Sequence, residues 1–308
     1  MRVVVLGASG FIGRHLTRQL EEDGHRVVIV RRPYTAERLL MVLEGEPPAA
    51  TAPIGADTAG PAPGEAEPYA VVNLAGESID RGRWTRRHKA RILSSRLTVT
   101  QAAVTAIRAA RRKPAVLVNA SAVGYYGTSG VLTFDEQSGP GTGFLADVCK
   151  AWEEAARAAA AETRVVLARF GMVLGPDGGA LPRIATLFRL GLGGRVGSGE
   201  QWVSWVHVAD AAGLVAHCLT NAKLAGPVNV VAPHPVRMDT FTRALAHTLH
   251  RPHGLSAPAP LLRFMLGEKA DLLLTGQCVL PRRALAAGYT FRFANLESAL
   301  ADLLGRME

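Results

Sequence analysis

Short, unbroken apolar runs alternate along this chain with longer mixed segments whose apolar residues recur every three or four positions. Runs of the first kind are Arg2–Leu6, Arg26–Val30, Tyr69–Leu74 (YAVVNL), Ala115–Ser121 (AVLVNAS) and Arg164–Arg169 (RVVLAR). They are rich in Val and Leu and lack a polar face, which predicts strands buried on both sides of a parallel sheet. Segments of the second kind predict helices. One opens near Phe11 with Ile12, Leu16 and Leu20 on one face, and a short one reaches about Leu43. A long basic one runs from about Thr85 to Arg112, and one rich in Ala and Glu covers Phe144–Ala161. Alternation of this kind implies right-handed crossovers and a sheet covered on both faces.

From Gly171 the pattern loosens. Gly175–Gly199 is glycine-rich around a short helix at Leu181–Leu190. Trp205–Val208 reads as a strand feeding the helix Ala209–Leu219, and Val228–Val231 as another strand. Two or three helices are expected between Asp239 and Leu274. Glu46–Pro68 is crowded with Pro, Ala and Gly and predicts a flexible surface loop. No internal repeat is visible. The expected division is a nucleotide-binding domain over residues 1–170, with 200–231 returning to it. Residues 171–199 and 232–308 would form a smaller substrate cap.

The first apolar run breaks into Gly7, Gly10 and Gly13, spaced G-x-x-G-x-x-G. The spacing alone says little; its context says more. It follows a strand, opens an amphipathic helix and leads to a second strand, the arrangement in which glycines let a backbone approach a pyrophosphate. The phosphate charge would then face the helix N-terminus. Gly7, Ser9, Gly10, Phe11, Ile12 and Gly13 are therefore candidate dinucleotide contacts, with Leu74, Ala75 and Gly76 after the third strand. The fold class this predicts is α/β, a Rossmann-type doubly wound parallel sheet with a smaller C-terminal substrate-cap subdomain.

The end of the second strand decides which dinucleotide is expected. An NAD site usually offers an acid there to the ribose 2′-hydroxyl, and an NADP site an arginine to the 2′-phosphate. Here the residues are Arg31 and Arg32, with no acid until Glu37. A guanidinium grips a phosphate bidentately, so the expected cofactor is NADP(H).

Composition narrows the partners. The 308 residues carry a formal charge of +9, but only five of the 35 basic residues are lysine, a bias that arginine-for-lysine usage also produces. The densest cluster, Arg81, Arg83, Arg86, Arg87, Lys89, Arg91 and Arg96, has only Trp84 as an aromatic and no nucleic-acid motif, so no nucleic-acid partner is expected. No apolar stretch reaches transmembrane length and Met1 leads straight into the first strand, so neither a membrane partner nor a leader is expected. Cys149, Cys218 and Cys278 fit no metal or redox spacing and read as reduced thiols of a cytoplasmic protein. No metal site is expected. The expected partner is a small-molecule substrate, with a homodimer as the one assembly admitted.

Several motifs together resemble the extended short-chain dehydrogenase/reductases, and within them the atypical branch of NAD-dependent epimerase/dehydratase-like proteins. They are NLAGESI (73–79), RWTRRHKARILSSR (83–96), SAVGYYG (121–127), RFGMVLGPDGGAL (169–181) and GLGGRVGSGEQWVSWVHVAD (191–210). GPVNVVAPHPV (226–236) and LLLTGQCVLP (272–281) fit the same branch. The resemblance spans nearly the whole chain outside Glu46–Pro68.

The resemblance implies a catalytic Ser or Thr, and a Tyr four residues before a Lys on the following helix. Ser121 fits the serine position and Lys150 the lysine slot, but the tyrosine slot falls on Ala146. Tyr125 and Tyr126 are the alternative phenols; adjacent residues on an extended segment face opposite sides, so only one would meet the cofactor. Lys150 would bond the nicotinamide ribose or remain a solvated helix lysine. Arg96 would sit near the cofactor or on the surface, and the backbone near Leu174 beside the nicotinamide. His207 and Asp210 would fix a strand-to-helix junction, Asp210 as its cap. The activity implied is that of an NADP(H)-binding oxidoreductase or epimerase-like enzyme of unidentified substrate; the alternative is a redox sensor or regulatory module that binds NADPH without turnover.

Overall fold

A computed structural model of the chain describes residues 1–45, 67–80 and 82–305. The predicted loop Glu46–Pro68 lies outside the described residues except for Glu67 and Pro68, as does Arg81 of the basic cluster. The first half alternates strand and helix: β1 (Arg2–Leu6), α1 (Phe11–Glu22), β2 (Arg26–Val30), α2 (Ala36–Leu43), β3 (Tyr69–Asn73), α3 (Arg86–Ala109) and β4 (Val116–Ala122). A 3₁₀ turn over Val123–Tyr126, β5 (Thr133–Phe134), α4 (Phe144–Arg157) and β6 (Arg164–Phe170) complete it. Next come β7 (Met172–Leu174), α5 (Leu181–Arg189), β8 (Gly194–Val196), β9 (Trp202–Val203), β10 (Trp205–His207), α6 (Val208–Thr220) and β11 (Gly226–Val230). The rest is β12 (Val236–Arg237), α7 (Met238–Thr248), β13 (Leu255–Ala257), α8 (Ala259–Leu266), α9 (Asp271–Leu274), β14 (Cys278–Val279), α10 (Arg282–Ala286) and α11 (Leu296–Gly305).

Six strands form one parallel sheet in the order β11-β6-β4-β3-β1-β2. The fold is thus of the Rossmann type. Side chains alternate across each strand and feed two cores. Val3, Val5, Val72, Val118 and Val166 face the side covered by α1 and α6. Val4, Leu6, Val71, Leu117 and Leu167 face the side of α2, α3 and α4, where they meet Leu39, Val104, Ile107 and Ala156. Each fully buried Val or Leu contributes about 1.5–3 kcal/mol.

Two expectations needed correction. The helix from Phe144 ends at Arg157 rather than Ala161, because Ala159, Ala160 and Glu162 each bond three residues back and tighten the chain into turns before β6. The cap of α6 is His207, whose Nδ1 accepts from the Ala209 N–H at 3.0 Å; Nε2 is then left facing Asp302 at 3.2 Å. Asp210 instead reaches out of the helix, accepting from the Arg292 and Phe293 N–H groups at 2.8 and 2.9 Å and from the Tyr289 hydroxyl. Together these two residues tie the C-terminal segment to the start of α6. Helix α11 was not anticipated, although Leu296, Ala299, Leu300, Leu303 and Leu304 recur with helical period and are buried.

Candidate functional site

The first glycine turn is a backbone cradle. Gly7 has φ of +84°, and a Cβ there would lie 2.8 Å from the Ala75 nitrogen after β3. A Cβ on Gly13 would lie 2.3 Å from the Gly7 carbonyl. Only hydrogen fits either position, so β1, β3 and α1 approach within backbone contact. Ser9 and Gly10 are exposed, Phe11 and Ile12 half-buried, and Gly10 caps α1 with no side-chain bond. The first N–H groups of α1 are therefore left for an anion. Leu74 and Gly76 are half-buried at the neighbouring strand end, with buried Ala75 between them donating to the Asn73 side chain.

Arg96 belongs to this floor and not to the surface. It is half-buried, donates to the carbonyls of Glu77 and Ile92, stacks on Trp152 and backs Gly76. Leu174 is fully buried at the end of β7, with the 175–179 loop following it over α1. There the Phe11 ring fills the space that side chains at Gly175 and Gly178 would need. Asp177 joins Arg14 and His15 at 2.9 Å each; burial opposes its charge, but those two partners hold the carboxyl below its ordinary range.

At the end of β2, Arg31 and Arg32 are exposed and have no ion-pair partner among the described residues. Two residues beside them escaped the sequence reading. Tyr34 accepts a hydrogen bond from the Gly7 N–H at 3.2 Å, tying the β2 loop to the glycine turn. Arg38, in the first turn of α2, has a buried Nε without a hydrogen-bond partner.

The ends of β4 and β6 carry a different construction. Ser121 and Arg169 are register partners on these strands and both are buried. Facing them from α4 is Glu153, fully buried two turns beyond Ala146. Arg169 donates to both its oxygens, at 2.7 and 2.8 Å, Arg157 adds a third donor at 2.9 Å, and the Ser121 hydroxyl donates to it at 2.8 Å. Burial opposes the charge on Arg169, but Glu153 outweighs that and holds its pKa above the ordinary value. Such a pair is strongly destabilised when one partner is removed.

The two tyrosines part company here. They lie in the 3₁₀ turn rather than on an extended segment, with ring planes at 88°. Tyr126 points inward, accepting from Arg169 at 2.9 Å and donating to Asn229 at 2.7 Å. Burial pushes its phenol up to about 12. Tyr125 is half-buried, its hydroxyl has no hydrogen-bond partner among the described residues, and the Arg169 guanidinium lies 3.5 Å from its ring centroid. Lys150 stands apart, half-exposed and paired with Asp147 at 2.6 Å, while Ala146 is buried. Burial also raises Cys149, to about 11, so it rests as a thiol.

Beyond Tyr126, the backbone N–H of Asn229 donates to Glu136, which also accepts from the Arg283 N–H. Sequence reading missed Glu153, Arg169, Asn229 and Glu136. The available signal was an arginine closing an apolar strand and a glutamate on the buried face of a helix.

Comparison with known proteins follows this geometry. The sequence profile of the NAD dependent epimerase/dehydratase family matches residues 3–232, and that of a domain of unknown function (DUF1731) residues 257–303. The chain is 40% identical over 310 residues to the epimerase family protein YfhF of Bacillus subtilis, covering 99% of this chain and 98% of that one. It is 38% identical over 312 residues to the epimerase family protein SDR39U1 of Bos taurus, covering 99% and 100%. It is similar to the crystal structure of human epimerase family protein SDR39U1 (isoform 2) with NADPH, at a TM-score of 0.86 and 35% identity over 99% of each chain. MoeE5 in complex with UDP-glucuronic acid and NAD, at 22% identity and a TM-score of 0.75 over 99% of each chain, shares the fold. No described helix is long and apolar enough to cross a membrane.

Proposed function

Because the chain belongs to the NAD dependent epimerase/dehydratase family, we propose that it is an NADP(H)-dependent oxidoreductase or epimerase-like enzyme acting on a small substrate. The observation that carries this reading is a cradle closed to side chains at Gly7 and Gly13, with exposed Arg31 and Arg32 one strand away. The similar human protein, whose structure contains NADPH, supports it. In the reading, the α1 N-terminus and Ser9–Gly13 hold the pyrophosphate, and Arg31, Arg32 and Arg38 the 2′-phosphate. Leu74–Gly76, braced by Arg96, line the adenine side, and the backbone near Leu174 the nicotinamide side. The bound cofactor supplies hydride transfer.

The protein's own part is proton transfer. The Tyr125 hydroxyl is uncommitted among the described residues, and this makes it the candidate acid or base. Tyr126 is spent on Asn229 and Arg169, and its raised pKa disfavours proton release. Ser121 donates its hydrogen bond to Glu153 and so presents lone pairs, which suit acceptance from a substrate hydroxyl. A second reading, an NADPH sensor without turnover, is favoured by one observation: with Ala146 buried and Lys150 turned to Asp147, the family's tyrosine–lysine pair is missing.

Two measurements test the proposal. NADPH should bind more tightly than NADH, and Arg31→Ala/Arg32→Ala should weaken NADPH binding by about 1.5–3 kcal/mol for each charge-assisted hydrogen bond to the phosphate that it removes; equal affinities would reject NADP(H). A panel of carbonyl compounds with NADPH then separates enzyme from sensor by steady oxidation. With any compound turned over, Tyr125→Phe should slow single-turnover oxidation about a hundredfold and leave NADPH binding intact.

A further inference from the structure

Tyr125 is anchored through its main chain and packed through its ring. Its main chain is fixed: the carbonyl accepts from the Gly141 N–H at 2.9 Å, and a Cβ on Gly141 would lie 2.2 Å from the Tyr126 carbonyl. Among the described residues its hydroxyl makes no hydrogen bond; the ring packs against Val123, Val231 and Val279, meets the Tyr126 ring at a centroid distance of 5.5 Å, and has the Arg169 guanidinium 3.5 Å from its own centroid. The guanidinium cannot follow the ring, because all three of its nitrogens are engaged. Nε and Nη2 bond Glu153, and Nη1 bonds the Tyr126 hydroxyl. Glu153 is fixed in turn by Ser121 and Arg157. What this clamp leaves open is the flat face of the guanidinium, and Tyr125 lies on it. A planar cation in contact with an aromatic face is attracted to it, and a lysine at the same place offers no plane.

We propose that Arg169, clamped by Glu153, is the positioning residue that seats the Tyr125 ring and thereby aims its hydroxyl at the reacting end of the sheet. This rests on the reading of Tyr125 as the proton-transferring group. In that role the Glu153–Arg169 pair does from the strand and helix behind the turn what a tyrosine fixed on α4 itself would not require. It also explains why one carboxylate gathers Ser121, Arg157 and Arg169: each added bond stiffens the surface on which the ring lies.

The test is nuclear magnetic resonance of the full-length protein carrying ring-¹³C tyrosine, with the Tyr125 signal assigned by its disappearance in Tyr125→Phe. Two variants are compared. Arg169→Lys keeps the charge beside Glu153 but loses the plane. Glu153→Gln/Arg169→Met removes both charges together, so no buried ion is left unpaired. The expected result is that the Tyr125 ring signals shift and collapse to those of a fast-flipping ring in both variants, while the Tyr34 and Tyr69 signals stay in place. Unmoved Tyr125 signals in either folded variant overturn the proposal. With NADPH and a carbonyl compound that supports oxidation, Arg169→Lys should lower turnover by roughly tenfold to a hundredfold, as for a misplaced reacting group, with KM for NADPH unchanged. A raised KM for NADPH at normal turnover would also overturn it. Normal turnover by Tyr125→Phe would instead reject the proton-transfer role of Tyr125, while the ring signals would still report on its seating.

Discussion

The two ends of the candidate site are built in opposite ways. At β1 and β3 the cradle is made of backbone, and its close approach depends on side chains being missing at Gly7 and Gly13. At β4 and β6 the construction is made of side chains brought from Ser121, Tyr126, Glu136, Glu153, Arg169 and Asn229, and holds because charges and hydrogen bonds are matched where all six are buried. The first kind of site is sensitive to any added atom. The second is sensitive to any removed partner, since a buried ion that loses its counterpart keeps its full desolvation penalty.

The largest effect should come from the second region. Glu153→Gln leaves Arg169 buried without its counter-charge, and denaturant unfolding should register a loss of about 3–5 kcal/mol. Much of that loss should be absent from the double variant with Arg169→Met. A single variant costing no more than a surface substitution would erase the contrast between the regions. In the cradle, Gly13→Ala forces a methyl against the Gly7 carbonyl, and the expected cost is about 1–3 kcal/mol by thermal unfolding, with weakened NADPH binding. If stability and binding both survive, the turn is less tightly built than its geometry requires.

The smallest effect concerns Glu136 at the edge of the side-chain network. Burial holds its carboxyl above the ordinary range, against the pull of the Asn229 and Arg283 N–H groups. A group whose folded pKa is raised contributes fully below its unfolded value, and that contribution is lost as pH rises through the folded value. Stability of the wild type should therefore decline across that window relative to Glu136→Gln, which cannot ionise. Parallel pH profiles for the two proteins would exclude Glu136 as the titrating group.

The same contrast governs what could be read from the sequence. The central strands of the main sheet fall where apolar runs stand, because burial on both faces leaves few polar positions in them. The glycine turn was legible because its demands are local: a strand, a positive φ, a close approach and a helix start occupy consecutive residues. The parallel pairing of the strands follows from their alternation with helices, but the order β11-β6-β4-β3-β1-β2, the cap of α6 and the C-terminal ties did not. Asp210 has the residue type of a cap, yet the neighbouring imidazole took that position and freed the carboxylate to hold residues 292 and 293.

By itself, then, the sequence determined the parallel sheet, the backbone cradle and the arginines at the end of β2, each a matter of composition and short-range geometry. Tertiary structure alone decided that Tyr126 is the tyrosine committed to Asn229 and Arg169. It also decided that the Ser121 hydroxyl donates to Glu153 and that Arg169 lies beneath Tyr125. The physical reason is that a hydrogen bond or ion pair between strand, turn and helix depends on distances of a few ångströms, and those are set by packing across the whole sheet rather than by spacing along the chain.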